Sequence, residues 1–169
     1  MEITKPAFAA LAAATLLFAA PATADDAAQS GAEVGKWTQD YQAALRLAAE
    51  KDVPVFLKFT GSDWCGWCKL MEKNVFREPA FSDWAATNAV LVSIDFPQAE
   101  NVPTVPEAFK ARNRHLAQVY GVQGFPTYFV LSPSGKTLGT LGASRDATAE
   151  AFVAAVSEIA AKGRTAPKN

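Results

Sequence analysis

Residues 59–69 read FTGSDWCGWCK, and the structure expected for the whole chain follows from what flanks them. They continue Val53–Phe59, a run rich in β-branched and aromatic residues, and this composition predicts a buried strand. From Cys65 to Phe76 the chain contains no proline, and its apolar residues recur at helical spacing, which predicts a helix. A strand therefore leads into a helix whose first turn carries two cysteines.

Cys65 and Cys68 can share one face of that helical turn, within disulfide reach. A disulfide across so short a loop removes little entropy from the unfolded chain, so redox chemistry explains the pair better than stability does. Unpaired backbone N–H groups at the helix N-terminus would favour the thiolate of Cys65 and make it the nucleophile. Cys68, one turn inside, would be shielded and act as the resolving thiol, which attacks the mixed disulfide and releases the substrate.

Two other uses of the cysteine pair are open at this point. One is a structural disulfide, which so short a loop makes a poor crosslink. The other is a Cu(I) or Zn(II) carrier, because paired thiolates suit soft metal ions. A zinc site would have to recruit His115, and it would still lack the fourth Cys or His ligand of structural zinc. The chain also offers no methionine cluster, since it contains only Met1 and Met71. We therefore expect no bound metal and no other cofactor, since the electrons would move through the cysteines.

The composition excludes several classes of protein. The chain has 169 residues, half of them hydrophobic, which is the size and composition of one folded domain. Its 16 Lys and Arg residues balance 17 Asp and Glu residues, so no basic surface for nucleic acid is expected. Two cysteines in total exclude a disulfide-dense scaffold. We expect a monomeric α/β domain.

The N-terminus has the features of a secretory signal peptide. The apolar stretch Ala7–Ala20 is followed by Pro21 and by the small-residue site Ala22-Thr23-Ala24, which predicts a signal peptide over residues 1–24 with cleavage near Ala24. The apolar core is too short to span a bilayer. The mature protein would therefore be periplasmic or secreted, where disulfides persist. We expect a flexible lead-in over 25–36, the domain over 37–162 and a disordered tail over 163–169.

The remaining pattern predicts alternating helices and strands. Strands are expected at Val53–Phe59, Ala89–Phe96, Phe125–Leu131 and Lys136–Leu141. Helices are expected at Thr38–Glu50, Cys65–Phe76, Pro79–Thr87, Pro106–Tyr120 and, with Asp146 as N-cap, up to Ala161. This order predicts parallel strands joined by crossovers plus one antiparallel hairpin. The expected fold is a central mixed sheet of about four strands flanked by helices.

The chain resembles the thioredoxin-fold thiol–disulfide oxidoreductases from about Trp37 to Ala160. The likeness is to the periplasmic thioredoxin-like branch that includes the C-terminal domain of the transmembrane reductant conductor. It rests on the CGWC motif after a strand, on residues 71–76 (MEKNVF) with Pro79, and on residues 120–127 (YGVQGFPT) before a later strand. The CGWC motif together with the downstream Gly-Phe-Pro-Thr element is more specific to this family than the cysteine motif alone.

The resemblance implies that Pro126 follows a cis peptide bond and lies against the active-site disulfide. The backbone of Phe125 could then pair with an extended substrate segment. It also implies a reductase of protein disulfides, kept reduced by a membrane-bound electron donor. A disulfide oxidase or isomerase is the alternative, because the direction depends on how strongly the Cys65 thiolate is stabilised.

Side chains around the cysteines complete the expected site. Trp64, Trp67 and Phe125 would form an apolar collar for docking proteins, with Gly66 between the cysteines. The sequence departs from the family at Lys58, which best matches the buried acid that helps take the proton from the resolving thiol in thioredoxins. No proton acceptor for Cys68 is therefore assigned, and Lys69 and Glu72 are expected on a solvated helix face.

Overall fold

The computed structural model describes residues 27–99 and 105–165, and the predicted signal peptide lies outside them. The described chain contains five strands and five α-helices. In chain order the elements are β1 (Trp37–Thr38), α1 (Tyr41–Lys51), β2 (Val55–Thr60), α2 (Gly66–Met71), a π-helical turn (Glu72–Phe76), α3 (Pro79–Asn88), β3 (Val90–Asp95), α4 (Glu107–Val119), β4 (Thr127–Leu131), β5 (Thr137–Gly142) and α5 (Ala149–Thr165).

The strands form one mixed sheet in the order β1-β3-β2-β4-β5. β3 runs parallel to β1 and β2, whereas β4 runs antiparallel to β2 and β5. The predicted α/β class, the crossovers and the final hairpin are confirmed. The sheet has five strands where about four were predicted, because β1 has only two residues and so carries no periodicity. Trp37–Thr38 pairs with Leu91–Val92, and the first helix begins at Tyr41.

Helices cover both faces of the sheet, and the central strand β2 is buried along its whole length. On one face α2, α3 and α5 enclose an aromatic cluster, in which rings of neighbouring elements meet edge to face. Its largest members are Trp37, Phe56, Phe76, Phe81, Tyr128 and Phe152. On the other face α1 and α4 cover aliphatic residues of β2 and β3. This two-sided burial fixes the C-terminal end of β2, where the cysteine motif begins.

The observed starts of two helices differ from the predicted ones, because capping hydrogen bonds define where each helix begins. Asp40 caps α1, with its carboxylate accepting the N–H of Ala43 at 2.9 Å. The last helix begins three residues after the predicted cap Asp146. Thr148 takes the capping position instead, since its Oγ1 accepts the N–H of Ala151 at 3.3 Å.

Some residues of the predicted lead-in and tail take part in secondary structure. Ala28 bridges Thr38 and Val34 bridges Val90, so two residues of the predicted lead-in pair with strands of the sheet. Gly35 lies against Ala86 of α3 so closely that a Cβ would overlap its backbone. At the other end, α5 continues to Thr165, into the predicted disordered tail over 163–169.

Candidate functional site

Cys65 and Cys68 form a disulfide at the N-terminus of α2, with their Cα atoms 5.2 Å apart. Cys65 is the N-cap residue, and its Sγ accepts the backbone N–H of Cys68 at 3.1 Å. Both residues are buried, with 6% and 5% of their surfaces exposed. An N–H aimed at the Cys65 sulfur stabilises negative charge there, so this geometry favours a thiolate on Cys65 when the pair is reduced.

The turn before the cysteines is anchored to the segment that follows β3. Asp95, at the end of β3, accepts the backbone N–H of Ser62 at 2.9 Å and its hydroxyl at 2.6 Å. The Asp63 carboxylate accepts the backbone N–H groups of Ala99 and Gln98. The hydrogen bond from the N–H of Ala99 contributes more than that from Gln98, and together they hold the pKa of the Asp63 carboxyl below its usual value. Two carboxylates thus fix the loop that presents the disulfide.

Trp64 folds back over Gly61, where a Cβ would lie 2.5 Å from the indole ring. Its Nε1 donates to the carbonyl of Phe96 at 2.8 Å, yet 42% of its surface stays exposed. Trp67, between the cysteines, is 45% exposed, and its ring lies 5.7 Å from the guanidinium of Arg145. Both tryptophans are therefore on the surface beside the disulfide.

The loop before β4 lies beside this motif. The Phe125–Pro126 peptide bond is cis, as the resemblance implies, and Pro126 is buried. The ring of Phe125 meets that of Trp64 edge-on, with centroids 5.8 Å apart. Gly66 is exposed, with open space around it. The structure thus groups Trp64 with Phe125 and places Gly66 and Trp67 in the same exposed motif.

Behind Cys68 lies a polar pocket of about 300 Å³, which the sequence did not predict. Lys58 is buried in its wall, and its Nζ donates to Oε2 of Glu72 at 2.9 Å. The same ammonium lies 4.3 Å from the ring centroid of Trp37 and 4.8 Å from that of Phe76. The expectation that Glu72 lies on a solvated face is wrong, because its side chain is only 15% exposed.

Two features of the sequence could have located this pocket. Glu72 follows Cys68 by four residues, which puts both on one helix face. Lys58 interrupts an apolar strand, and a buried lysine requires an anionic partner. Only the tertiary structure shows that the two charges meet. Burial, with the Glu72 carboxylate nearby, also raises the pKa of the Tyr128 hydroxyl well above its usual value.

Residues 27–99 and 105–165 contain neither a candidate cluster of metal ligands nor a candidate membrane span. Within these ranges no three or more His, Cys, Asp or Glu side chains are grouped so that they could hold a metal ion. His115 lies exposed on α4. None of the described helices is both long enough and apolar enough to cross a bilayer.

The fold and the cysteine pair define a protein of the thioredoxin type. A model of the thioredoxin-like domain matches residues 41–157, and the chain belongs to this family. It is 34% identical over 104 residues to the disulfide bond reductase DsbH of Chlamydia pneumoniae, a match that covers 62% of this chain and 61% of that protein. It is 28% identical to the thioredoxin-related protein DsbJ of the same organism, over 63% of this chain and 30% of that protein.

The solved structures agree with this family. A DsbH oxidoreductase superposes with a TM-score of 0.65 at 30% identity, covering 80% of this chain and 88% of that one. The C-terminal domain of Neisseria meningitidis DsbD, in its reduced form, gives a TM-score of 0.52 at 25% identity, with 69% and 91% covered. The match spans less than two thirds of the length of either curated Chlamydia relative.

Proposed function

We propose that this protein is an exported thiol–disulfide oxidoreductase that reduces disulfides in other proteins. The observation that carries the proposal is the Cys65–Cys68 pair at a helix N-terminus, with the N–H of Cys68 directed at the Cys65 sulfur. Cys65 attacks a substrate disulfide and forms a mixed disulfide. Cys68 then attacks Cys65 and releases the reduced substrate, leaving the protein oxidised.

The proposed docking surface is the exposed apolar group around the disulfide. Trp64, Trp67 and Phe125 supply aromatic surface, and such patches at a reactive site bind partners. Gly66 leaves open space between the cysteines, and Pro126 with Phe125 positions an extended substrate segment. The substrates are protein disulfides or dithiols, and no nucleic acid is involved.

The proposal also specifies the direction of electron transfer, from this protein to the disulfides of other proteins. A reductase is supported by the likeness to a relative named as a disulfide bond reductase. The likeness to a DsbD C-terminal domain supports a place in the periplasm and a membrane-bound donor that keeps the pair reduced. An oxidase or isomerase would use the same two cysteines, so the reduction potential distinguishes these roles.

The test is the reduction potential of the Cys65–Cys68 couple, measured by equilibrating the purified protein with thiol buffers. A value near about −270 mV, typical of thioredoxin, supports the reductase. A value near about −120 mV marks an oxidant that donates its disulfide to folding proteins and contradicts the proposed direction. A pair with no reversible couple would rule out redox function, and Cu(I) and Zn(II) binding would be measured next.

A further inference from the structure

Arg145 lies beside the cysteine motif, in the loop that joins β5 to α5. Its guanidinium carbon is 5.7 Å from the ring centroid of Trp67, within the range of a cation–π contact. Trp67 stands between the two cysteines in the motif and is 45% exposed. The contact therefore holds an exposed cation, distant in the sequence, next to the disulfide.

The guanidinium of Arg145 has donors available to a partner. Within residues 27–99 and 105–165 no carboxylate forms an ion pair with it, and Asp146, the next residue, also lies too far from it for an ion pair. A guanidinium carries five N–H donors, and two of them match the two oxygens of a carboxylate. Arg145 can therefore bind a carboxylate that comes from another molecule.

Three carboxylates near the motif are already engaged within the protein. Asp63 accepts two backbone N–H groups of the segment after β3. Asp95 accepts the N–H and the hydroxyl of Ser62, and Glu72 pairs with the buried Lys58. The chain has 16 Lys and Arg residues against 17 Asp and Glu residues, so an available cation beside the disulfide is a local feature and does not follow from the overall charge.

We infer that Arg145 selects protein disulfides in which an acidic residue lies close to the target cysteine, by pairing with that carboxylate while Cys65 attacks. The inference rests on the proposed function and names its substrate class. Cys65 bonds to the target sulfur and the second substrate cysteine leaves as a thiolate, after which Cys68 displaces the first. One substrate disulfide becomes two thiols, which take up the two protons lost by the cysteine pair as it is oxidised. Arg145 takes no part in these bond changes and determines specificity.

Two contacts with distant loops flank the reactive pair. Trp64 meets Phe125, next to the cis peptide bond, and Trp67 meets Arg145. An extended substrate segment advances about 3.3 Å per residue. If its backbone pairs with that of Phe125, as proposed above, side chains a few residues from the target cysteine come within reach of the guanidinium.

The sign of the preference distinguishes this role from the charge of the nucleophile. The Cys65 thiolate is an anion and repels a carboxylate near the target sulfur. Without a cation beside the disulfide, an acidic substrate should therefore react more slowly than a basic one. A preference for acidic substrates that salt weakens is the signature of an exposed cation that pairs with them.

The test uses three peptides of one sequence with a single cysteine, in which the residues two positions away on both sides are Glu, Gln or Lys. The cysteine is activated as a pyridyl disulfide, so Cys65 attacks the peptide sulfur and the better leaving group, neutral thiopyridone, is released as a chromophore. Stopped flow with the reduced protein in excess gives the second-order rate. At low salt we expect the Glu peptide to react at least about threefold faster than the Lys peptide, and the ratio should fall towards one as salt is added.

Arg145→Gln should abolish this preference. We expect its rate with the Glu peptide to fall at least about threefold, while the rate with the Gln peptide stays within about twofold. Arg145→Lys should keep part of the preference, because it retains the charge but not the two matched donors. Arg46→Gln is the matched control, since it removes an exposed arginine of α1, which packs on the other face of the sheet. All three of its rates should match those of the unmodified protein.

The other outcomes are distinct. A preference for the Glu peptide that survives in Arg145→Gln overturns the inference, because another group then selects the carboxylate. An equal fall of all three rates also overturns it, since Arg145 would then act on Cys65 and not on the substrate. So does an unmodified protein that reacts faster with the Lys peptide. A thiopyridone release that is unchanged in Cys65→Ser contradicts the proposed function instead.

Discussion

The ring of Trp64 meets the ring of Phe125 edge-on, with centroids 5.8 Å apart and planes at 80°. The contact joins the turn that presents the cysteines to the loop that carries the cis peptide bond before Pro126. Phe96 extends the same group, with its ring 5.1 Å from that of Phe125. The two loops therefore share one aromatic surface next to the disulfide.

Replacing Phe125 by alanine should weaken docking of protein substrates and leave the chemistry of the cysteines intact. We expect KM for a reducible protein disulfide to rise about fivefold, or about 1 kcal/mol, because an aromatic contact at the interface is lost. The rate with a small aryl disulfide should not change. Val119→Ala is the matched control, since Val119 is 64% exposed on α4, outside the aromatic group. An unchanged KM for Phe125→Ala would remove Phe125 from the docking surface.

Single cysteine variants should differ in what they accumulate. Cys65→Ser should abolish disulfide exchange, because the sulfur that accepts the Cys68 N–H is the proposed nucleophile. Cys68→Ser should accumulate mixed disulfides with substrate proteins, because nothing resolves them. Non-reducing gels followed by mass spectrometry measure both. Equal trapping by the two variants would contradict the assignment of roles.

The Lys58–Glu72 ion pair predicts a non-additive effect on stability. Lys58→Met alone should lower the free energy of unfolding by about 3 kcal/mol, because it leaves the largely buried Glu72 carboxylate uncompensated. The double variant Lys58→Met/Glu72→Leu should stay within about 1 kcal/mol of the unmodified protein, because both charges are gone. Urea unfolding of the two variants measures the difference. A double variant at least as unstable as Lys58→Met alone would show that the two charges do not interact.

The cap at Asp40 predicts a dependence of stability on pH. Hydrogen bonds from the N–H groups of Ala43 and, to a smaller extent, Gly31 lower the pKa of this carboxyl below its ordinary value of 3.8. A carboxyl with a lower pKa in the folded state stabilises the fold above its unfolded pKa, and the effect is lost as the pH falls through the folded pKa.

Asp40→Ala should therefore cost about 1 kcal/mol at neutral pH, and the deficit should shrink below about pH 4. Asp40→Asn is the control, because asparagine also caps helices but does not titrate. It should keep the stability at neutral pH and lose the pH dependence in the acid range. Thermal unfolding across the acid range is the measurement, and a constant deficit in Asp40→Ala would contradict the prediction.

Two glycines of the lead-in provide a matched test of its packing. Gly31 and Gly35 have nearly equal φ angles of 74° and 75°, so alanine is strained at both. Open space surrounds Gly31, whereas a Cβ at Gly35 would overlap Ala86 of α3. Gly31→Ala should cost about 1 kcal/mol and Gly35→Ala about 3 kcal/mol of unfolding free energy. Equal losses would show that the lead-in does not pack against α3 in solution.

Local patterns were sufficient for much of the fold. The helices with long periodic faces and the four longer strands follow from their own composition, and the predicted and observed ranges overlap at each. Errors occurred where partners are distant in the chain. The strand Trp37–Thr38, for example, is defined by pairing with Leu91–Val92 of β3. A two-residue strand has no pattern of its own to detect.

The sequence by itself determined the cysteine motif, the strand that leads into it and the helix that carries it, because these depend on residues within a few positions of one another. The meeting of Lys58 with Glu72 and the contact of Trp64 with Phe125 were decided by the tertiary structure. Each joins side chains on different elements, so it depends on how the sheet brings β2 against α2 and β4 beside the motif. Burial strengthens the Lys58–Glu72 pair, since charges that are solvated in the unfolded chain interact more strongly where water is excluded, whereas the Trp64–Phe125 contact lies at the surface.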